Sequence, residues 1–278
     1  MGTGFVVASA EKLAPGITRF TVSAPRVAAH CRAGQFVIVR VHDHGERIPL
    51  TICDHDRETG TITLVVQAVG ATTEQMSQLE EGNHLADVLG PLGLPTEIDR
   101  YGRVLVVGGG VGTAIALPVA KALADEGNAV HGIIGARDAD HLILVDEMSA
   151  VCDEVTVMTD DGSAGLRGFV TEPVRDLVEG YEADFVFAAG PIVMMSAIAE
   201  ITREYDVPTV ASLNPIMVDG TGMCGGCRVK VGGETKFACV DGPEFDAHEV
   251  DFALLETRNR SYLEFERCQA DELEQTHG

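Results

Sequence analysis

Val104-Leu105-Val106-Val107 is a continuous apolar run that breaks into Gly108-Gly109-Gly110-Val111-Gly112 and resumes as a helical pattern through Ala124. A strand with no polar alternation has to be covered on both faces, and the glycines supply the tight turn that sends the chain back over it. Residues 104–120 are also the most membrane-like stretch, but Gly108, Gly109, Gly110, Gly112 and Pro118 interrupt them and they fall short of a span. A buried strand, turn and helix account for the run. The same alternation continues with strands at 130–134, 155–159 and 184–188 and helices near 146–151, 170–179 and 193–205. It predicts a parallel sheet with helices on both faces.

Upstream the texture differs. Thr18-Arg19-Phe20-Thr21-Val22 and the runs at 35–41 and 61–66 are rich in branched residues and parted by turn signals at Ala33-Gly34 and Glu58-Thr59-Gly60. With one helical stretch at 72–81, they predict a small antiparallel β-barrel. The chain of 278 residues has room for two domains of ordinary size. The expected boundaries are a barrel at 1–98, an α/β nucleotide-binding domain at 99–208, a Gly-rich segment at 209–250 and an acidic helix over 251–278. Short strands are expected within the Gly-rich segment at 228–231 and 234–238.

The net charge is −23, and only four lysines occur, Lys12, Lys121, Lys230 and Lys236. Such a surface repels nucleic acid and anionic lipid, so neither nucleic acid nor membrane is an expected partner. It also repels an acidic electron carrier unless another subunit supplies the docking site. Solubility, or life in a salty cytoplasm that screens the repulsion, accounts for the charge. Met1 to Lys12 shows no basic and apolar leader pattern. The seven cysteines are odd in number and sparse, which fits a reducing, cytoplasmic compartment rather than a disulfide scaffold. Cys31, Cys53, Cys152 and Cys268 are scattered and read as plain thiols.

The other three cysteines are not scattered. Asp219-Gly220-Thr221-Gly222-Met223-Cys224-Gly225-Gly226-Cys227-Arg228 is followed by Cys239. A C-x-x-C turn with glycines between its cysteines aims two sulfurs at one point and lets the backbone approach closely. The plant-type [2Fe–2S] spacing C-x4-C-x2-C…C puts a first ligand at 219, where this chain has aspartate. Asp219 has two readings: a loop aspartate capping a turn beside Gly220, or a carboxylate cluster ligand with the formal charge of a thiolate. Structural zinc on the cysteines is the competing metal reading.

Three further stations suit phosphate or flavin. The glycine loop at 108–112 opens a helix, whose N-terminus presents free N–H groups and a positive dipole end. It fits G-x-G-x-x-G loosely, because Thr113 takes the third position and Gly135-Ala136-Arg137 ends the second strand without an acidic tip. Arg47-Ile48-Pro49-Leu50-Thr51 offers a guanidinium for pyrophosphate, rigid apolar contact and a hydroxyl. Gln67-Ala68-Val69-Gly70-Ala71-Thr72-Thr73 joins a glycine and two hydroxyls to a helix start, which serves phosphate or a plain N-cap.

Together these stations resemble the ferredoxin–NADP⁺ reductase superfamily. Within it, Thr159-Asp160-Asp161-Gly162-Ser163-Ala164-Gly165, Ala189-Gly190-Pro191 with Met194, Met223 to Val229, and Phe237-Ala238-Cys239-Val240-Asp241-Gly242-Pro243 narrow the likeness. The chain resembles dihydroorotate dehydrogenase electron-transfer subunits over essentially its whole length. It is more similar still to the small subunits of NADH-dependent reduced ferredoxin:NADP⁺ oxidoreductases, bifurcating transhydrogenases also described as sulfide dehydrogenase subunits. Those small subunits share aspartate at the position of Asp219, where the dihydroorotate subunits have cysteine.

The resemblance implies FAD in the barrel, NAD(H) on the α/β domain and one [2Fe–2S] cluster near the C-terminus. Carried over by position, Arg47, Pro49, Leu50, Thr51, Gln67, Val69, Gly70, Thr72 and Thr73 belong to the FAD site. Gly109, Gly110, Gly112, Thr113, Arg137, Asp161, Gly162, Ser163 and Gly190 belong to the nicotinamide nucleotide. Asp219, Cys224, Cys227 and Cys239 belong to the cluster. No acid–base side chain is implied, because the cofactors carry electrons between NAD(H), the cluster and a larger flavoprotein partner similar to glutamate synthase small subunits. Ferredoxin would meet that partner rather than this chain. Arg137 could accept a 2′-phosphate, whereas Asp138 and Asp140 favour NAD over NADP. Electron transfer in a dihydroorotate or sulfide dehydrogenase, a lone flavin reductase, and an NAD-binding module with a structural metal are the other readings.

Overall fold

Seven antiparallel strands open the computed structural model, which describes residues 4–180 and 182–261. They are β1 (Phe5–Ala14), β2 (Ile17–Ser23), β3 (Phe36–Arg40), β4 (Arg47–Asp56), β5 (Thr61–Gln67), β6 (His84–Leu85) and β7 (Asp87–Leu92). Two short helices, α1 (Pro25–Ala28) and α2 (Ala71–Ser77), lie between them. The strand order is β6-β1-β2-β5-β4-β3-β7. Its edge strands, β6 and β7, are consecutive in the chain with Ala86 between them, so the covalent backbone nearly closes the barrel. Alternation fills the interior: Phe20 and Val22 of β2, Ile62 and Leu64 of β5, and Met76 of α2 are fully buried together.

The second sheet has the order β11-β10-β9-β8-β12-β13-β16. Its parallel part is built from β8 (Arg103–Gly109), β9 (Ala129–Ala136), β10 (Glu154–Thr159), β11 (Leu166–Arg167), β12 (Phe185–Ala189) and β13 (Thr209–Ser212). The connecting helices are α3 (Thr113–Asp125), α4 (Val145–Val151), α5 (Thr171–Glu179) and α6 (Ile192–Glu204). The uninterrupted apolar run of β8 is explained by its two covered faces. Val104 and Val106 pack with Ala116, Val119 and Leu123 of α3, whereas Leu105 and Val107 pack with Val174 of α5 and Met195 and Ile198 of α6.

After β13 the chain leaves the sheet, forms the hairpin β14 (Arg228–Val231) and β15 (Glu234–Phe237) and the helix α7 (Ala238–Asp241), and then returns. The return strand β16 (Glu244–Asp246) pairs antiparallel with β13, Ser212 opposite Glu244. The cysteine-bearing segment is thus an excursion hung between two neighbouring strands of the α/β sheet. That sheet takes in residues the sequence pattern assigns to the Gly-rich segment. A last helix, α8 (Phe252–Arg260), packs on α6 and β14. The rest of the acidic helix expected over 251–278 lies outside the described residues, as does Cys268.

Two seams join these parts. Ile17, Cys53 and Val65 of the barrel meet Ala114, Ile143 and Leu144 of the α/β unit, and Arg19 forms an ion pair with Glu147 across the same seam. Burial pushes the Cys53 thiol up to about 12, as suits an inert packing residue. At the second seam, Phe36 and Ile38 of β3 share one apolar cluster with Met217, Cys227, Val229 and Cys239.

Candidate functional site

The barrel presents one candidate ligand face. Residues directly opposite on paired strands point the same way. Arg40, Ile38 and Phe36 of β3 stand opposite Arg47, Pro49 and Thr51 of β4, so all six share one face. Two arginines side by side repel, and Asp87 resolves this by holding Arg40 at 2.6 Å. Arg47 forms no ion pair among the described residues and lines a cleft of about 310 Å³ with Phe5, Ile38, Arg40, Asp87, Val88 and Leu89. Leu50 does not belong to this face. It is half-buried and packs on the barrel core with Ile48.

The loop at 67–73 folds differently from a free phosphate cradle. Thr73 Oγ1 accepts the N–H groups of Val69 and Gly70, each at 3.0 Å, and donates to the Gly70 carbonyl at 2.9 Å. Thr72 Oγ1 donates to Glu46 at 3.1 Å. The two hydroxyls expected at FAD are therefore engaged within the protein, Thr73 in capping and Thr72 in tying the loop to the residue before Arg47. Gln67 and Val69 are exposed.

The α/β unit gathers a second set at the carboxyl ends of its strands, where open parallel sheets bind ligands. The tips of β8 and β12 are pressed together. A Cβ on Gly112 would lie 2.2 Å from the Ala189 carbonyl oxygen, and one on Gly109 would lie 2.5 Å from Met194 Sδ. A Cβ on Gly190 would lie 2.7 Å from Met194 Cε. Gly110 turns at φ +56° with open space before it. Thr113 starts α3, and its buried Oγ1 has no hydrogen-bond partner among the described residues. A buried hydroxyl without a partner, beside an open glycine at a helix N-terminus, fits a polar ligand group.

Next along the sheet, the loops after β9 and β10 are stitched together. Ser163 Oγ donates to Asp161 at 2.6 Å and accepts the Ala139 N–H at 2.7 Å. Gly162 makes the turn at φ +78°. Arg137 does not project freely: its guanidinium is held by Asp138 at 3.3 Å and by His141. Asp138 also accepts from His141 Nδ1 at 2.5 Å, and that bond, first among its causes, holds its carboxyl below the usual range. Asp161 is lowered chiefly by Ser163. Asp138 was read from sequence only as a charge favouring NAD, and its partner His141 was not a candidate. The i,i+3 spacing of an acid and a histidine just past a strand tip is the signal that could have found the pair.

In the cysteine segment each sulfur faces a backbone N–H. Gly226 N–H points at Cys224 Sγ at 3.4 Å and Cys239 N–H at Cys227 Sγ at 3.5 Å, while Gly222 N–H is directed at Cys239. Burial, then the hydrogen bond with Cys227, pushes the Cys239 thiol up. The segment is held against the barrel face, since a Cβ on Gly220 would lie 2.6 Å from Leu92 and 2.9 Å from Ile38. Asp219 accepts from Thr221 N–H at 2.8 Å and Cys224 N–H at 3.0 Å, and the Thr221 bond leads the causes that lower its carboxyl. This is the geometry of a turn-capping aspartate, with a second lone pair left on each oxygen.

The two sulfurs of the C-x-x-C turn do not share one environment, because Cys224 is exposed and Cys227 buried beside Cys239. Among the described residues no three His, Cys, Asp or Glu side chains converge to hold a single metal ion. A cluster of several irons and sulfides spreads its ligands further than one ion does. Soft sulfurs, each offered an N–H donor, are the donor chemistry such a cluster uses.

Barrel, parallel sheet and appended cysteine segment together define a ferredoxin reductase-like oxidoreductase with an iron–sulfur-binding portion. Residues 214–251 match the family model described as the iron-sulfur cluster binding domain of dihydroorotate dehydrogenase B. The chain is 48% identical over 267 residues to the dihydroorotate dehydrogenase B (NAD(+)) electron transfer subunit homolog of Thermotoga maritima, covering 96% of this chain and 94% of that one. It is 33% identical over 225 residues to the corresponding subunit of Clostridium perfringens, covering 81% and 89%. It belongs to the family of dihydroorotate dehydrogenase B electron-transfer subunits. A chain of the solved NADH-dependent reduced ferredoxin-NADP oxidoreductase, a structure bearing on flavin-based electron bifurcation, superposes with a TM-score of 0.92 at 46% identity, covering 98% and 99%. Phthalate dioxygenase reductase shares the fold at 18% identity and a TM-score of 0.57, covering 82% and 85%. Among the described residues no helix is long and apolar enough to cross a membrane.

Proposed function

We propose that this chain is the electron-transfer subunit of a bifurcating transhydrogenase-type complex, carrying FAD, NAD(H) and one [2Fe–2S] cluster and exchanging electrons with a larger flavoprotein subunit. One observation carries the reading: the segment bearing Asp219, Cys224, Cys227 and Cys239 rests through Gly220 on Ile38, whose cross-strand neighbour is Pro49 on the Arg47 face. A flavin face and a cluster loop are thereby neighbours. When bound, the cofactors supply the hydride and one-electron chemistry.

The protein's own groups bind and orient. Arg47 pairs with pyrophosphate, Pro49 and Thr51 border the flavin, and Leu50 together with Gln67, Val69 and Gly70 contributes backbone or rim contacts. Thr72 and Thr73 shape that loop through their internal bonds. At the other site, Gly109, Gly110, Gly112 and Gly190 let a nicotinamide nucleotide approach the strand tips, and Thr113 supplies its unpartnered hydroxyl. Asp138 and Asp161 repel a 2′-phosphate, and Arg137 is held by Asp138 and His141, so the site prefers NAD(H). Cys224, Cys227 and Cys239 with Asp219 hold the cluster. The partner resembles glutamate synthase small subunits, and ferredoxin meets that partner, in keeping with the net charge of −23.

The naming of the relatives supports a second reading, in which the large subunit oxidises dihydroorotate. Asp219 favours the first. Anaerobic visible spectra before and after NADH, with flavin, iron and acid-labile sulfide measured on the same sample, test the proposal. Flavin and cluster bleaching by NADH is expected, and a colourless protein with stoichiometric zinc would sink it. Dihydroorotate oxidation by the purified complex would replace the first reading by the second.

A further inference from the structure

Positive charge is scarce in this chain, with 20 Lys and Arg against 43 Asp and Glu. Two of these cations nevertheless lie against the turn between Cys224 and Cys227. Arg258 of α8 donates from Nη2 to the Gly226 carbonyl oxygen at 3.2 Å. Arg228 reaches the same turn, since a Cβ on Gly225 would stand 3.3 Å from its Nη1. Gly226 is the residue whose N–H is directed at Cys224 Sγ. Arg260, two residues beyond Arg258, is instead engaged by Glu256 at 3.5 Å.

Arg258 is held in position by its helix. Asp251 caps α8 by accepting the Leu254 N–H at 2.9 Å, and its own N–H bonds the Lys230 carbonyl at 2.9 Å. Asn259 donates to the Asn214 carbonyl at 3.0 Å. The helix therefore grips the cysteine segment near its start, through Asn214, and at the hairpin that follows Cys227. Leu255, buried in the same apolar cluster as Cys227 and Cys239, anchors it.

We propose that Arg258 and Arg228 are positioning residues that bias the iron–sulfur cluster toward its reduced state, an inference that rests on Asp219, Cys224, Cys227 and Cys239 being its ligands. One-electron reduction, with the electron drawn from NADH by way of flavin, adds one negative charge and no atom. A fixed cation beside the turn lowers the energy of that added charge. Guanidinium does not deprotonate in proteins, so the bias persists across pH. Arg258 also fixes the residue that offers an N–H to Cys224 sulfur, and such bonds to cluster sulfurs are a lever on potential.

The test is a potentiometric titration of the anaerobically purified full-length protein, followed by the EPR signal of the reduced cluster, with iron and acid-labile sulfide measured alongside. For Arg258→Gln with full iron and sulfide, the reduced-to-oxidised ratio at the wild-type midpoint is expected to fall about tenfold, a one-electron shift of 59 mV. Arg258→Lys keeps the charge and stays within about threefold of wild type, and the more exposed Arg228→Gln falls by about threefold. An unchanged midpoint in fully loaded Arg258→Gln overturns the proposal, as does an equal shift in the Gln and Lys variants. If Arg258→Gln fails to assemble its cluster, Arg228→Gln decides, and an unchanged midpoint there overturns it. Wild-type protein lacking iron and acid-labile sulfide defeats the ligand reading itself, and that measurement separates the two failures.

Discussion

The nucleotide crevice and the cysteine segment are both glycine-rich, but their glycines answer to different constraints. In the crevice the limit is space: Gly112 and Gly109 sit where β8, β12 and α6 press together, and any Cβ would strike backbone or a packed side chain. In the segment the limit is chiefly backbone conformation: Gly222 and Gly225 have φ of +80° and +68°, and only Gly220, at φ +74°, is also pressed for space where it meets the barrel. A parallel sheet packed on both faces fixes its strand tips from outside. A segment hung between β13 and β16 has to be fixed by its own turns, by α8 and by whatever its cysteines hold.

The largest effect should come from adding one methyl group to the crevice. Gly112→Ala places a Cβ 2.2 Å from the Ala189 carbonyl oxygen, and neither helix nor strand can retreat without disturbing the core on both sides. We expect a loss of about 3 kcal/mol in urea unfolding, at the upper end of overpacking costs. Gly225→Ala, whose Cβ would come no closer than 3.3 Å to Arg228 and 3.7 Å to Phe237, should cost about 1–2 kcal/mol for its positive φ. Equal losses in the two variants would erase the distinction between space and conformation.

The next effect lies where the two regions meet. Glu244 follows Pro243 at the end of the excursion, and its carboxyl is buried against Gly34 and Thr96, accepting from Thr96 Oγ1 at 2.8 Å. Burial pushes it up to about 7, with the Thr96 bond opposing. The folded state then holds a proton that the unfolded chain releases near pH 4.5, so native stability falls as pH rises from about 4.5 to 7. Glu244→Gln keeps an acceptor for Thr96 and removes the titration. Its stability relative to wild type should rise by about 2–3 kcal/mol between pH 5 and pH 8. A pH-independent difference in chemical denaturation would show that the carboxyl is solvated and the seam loose.

Much of this architecture was legible in the chain. The apolar run at Val104 and its glycines predicted β8 and α3, and the periodic segments after it became β9, β10, β12 and their helices. The partial failures are of one kind. Phe5–Ala14 is mostly exposed and carries Glu11 and Lys12, so no clear alternation marks β1 as a strand. The pairing of β13 with β16 spans the whole excursion, and no local pattern reports it. Cys224, Cys227 and Cys239 were visible by spacing. Which way Leu50 faces, and what Thr72 and Thr73 bond, depends on register and on Glu46 across a loop. Arg258 lies far from the cysteines in sequence and reaches them only through the placement of α8.

The smallest effect refines the crevice side of the comparison, because it concerns ligand choice rather than folding. Asp138 lies on an exposed loop just beyond β9, bonded to His141 and Arg137. If that carboxylate keeps a 2′-phosphate out, removing its charge should help NADPH without harming NADH. Asp138→Asn retains an oxygen to accept from the His141 N–H and leaves Arg137 less restrained. The ratio of kcat/KM for NADH over NADPH should fall about tenfold, which corresponds to about 1.4 kcal/mol. The rise should lie in the NADPH term, since uniform weakening of both coenzymes would mean that Asp138 only supports the loop. An unchanged ratio would move coenzyme choice away from β9, toward the Asp161 carboxylate after β10. The two loops share the bond from Ala139 N–H to Ser163 Oγ, so Ser163→Ala serves as the control for loop disturbance alone. It should weaken both coenzymes alike and leave the ratio where it was.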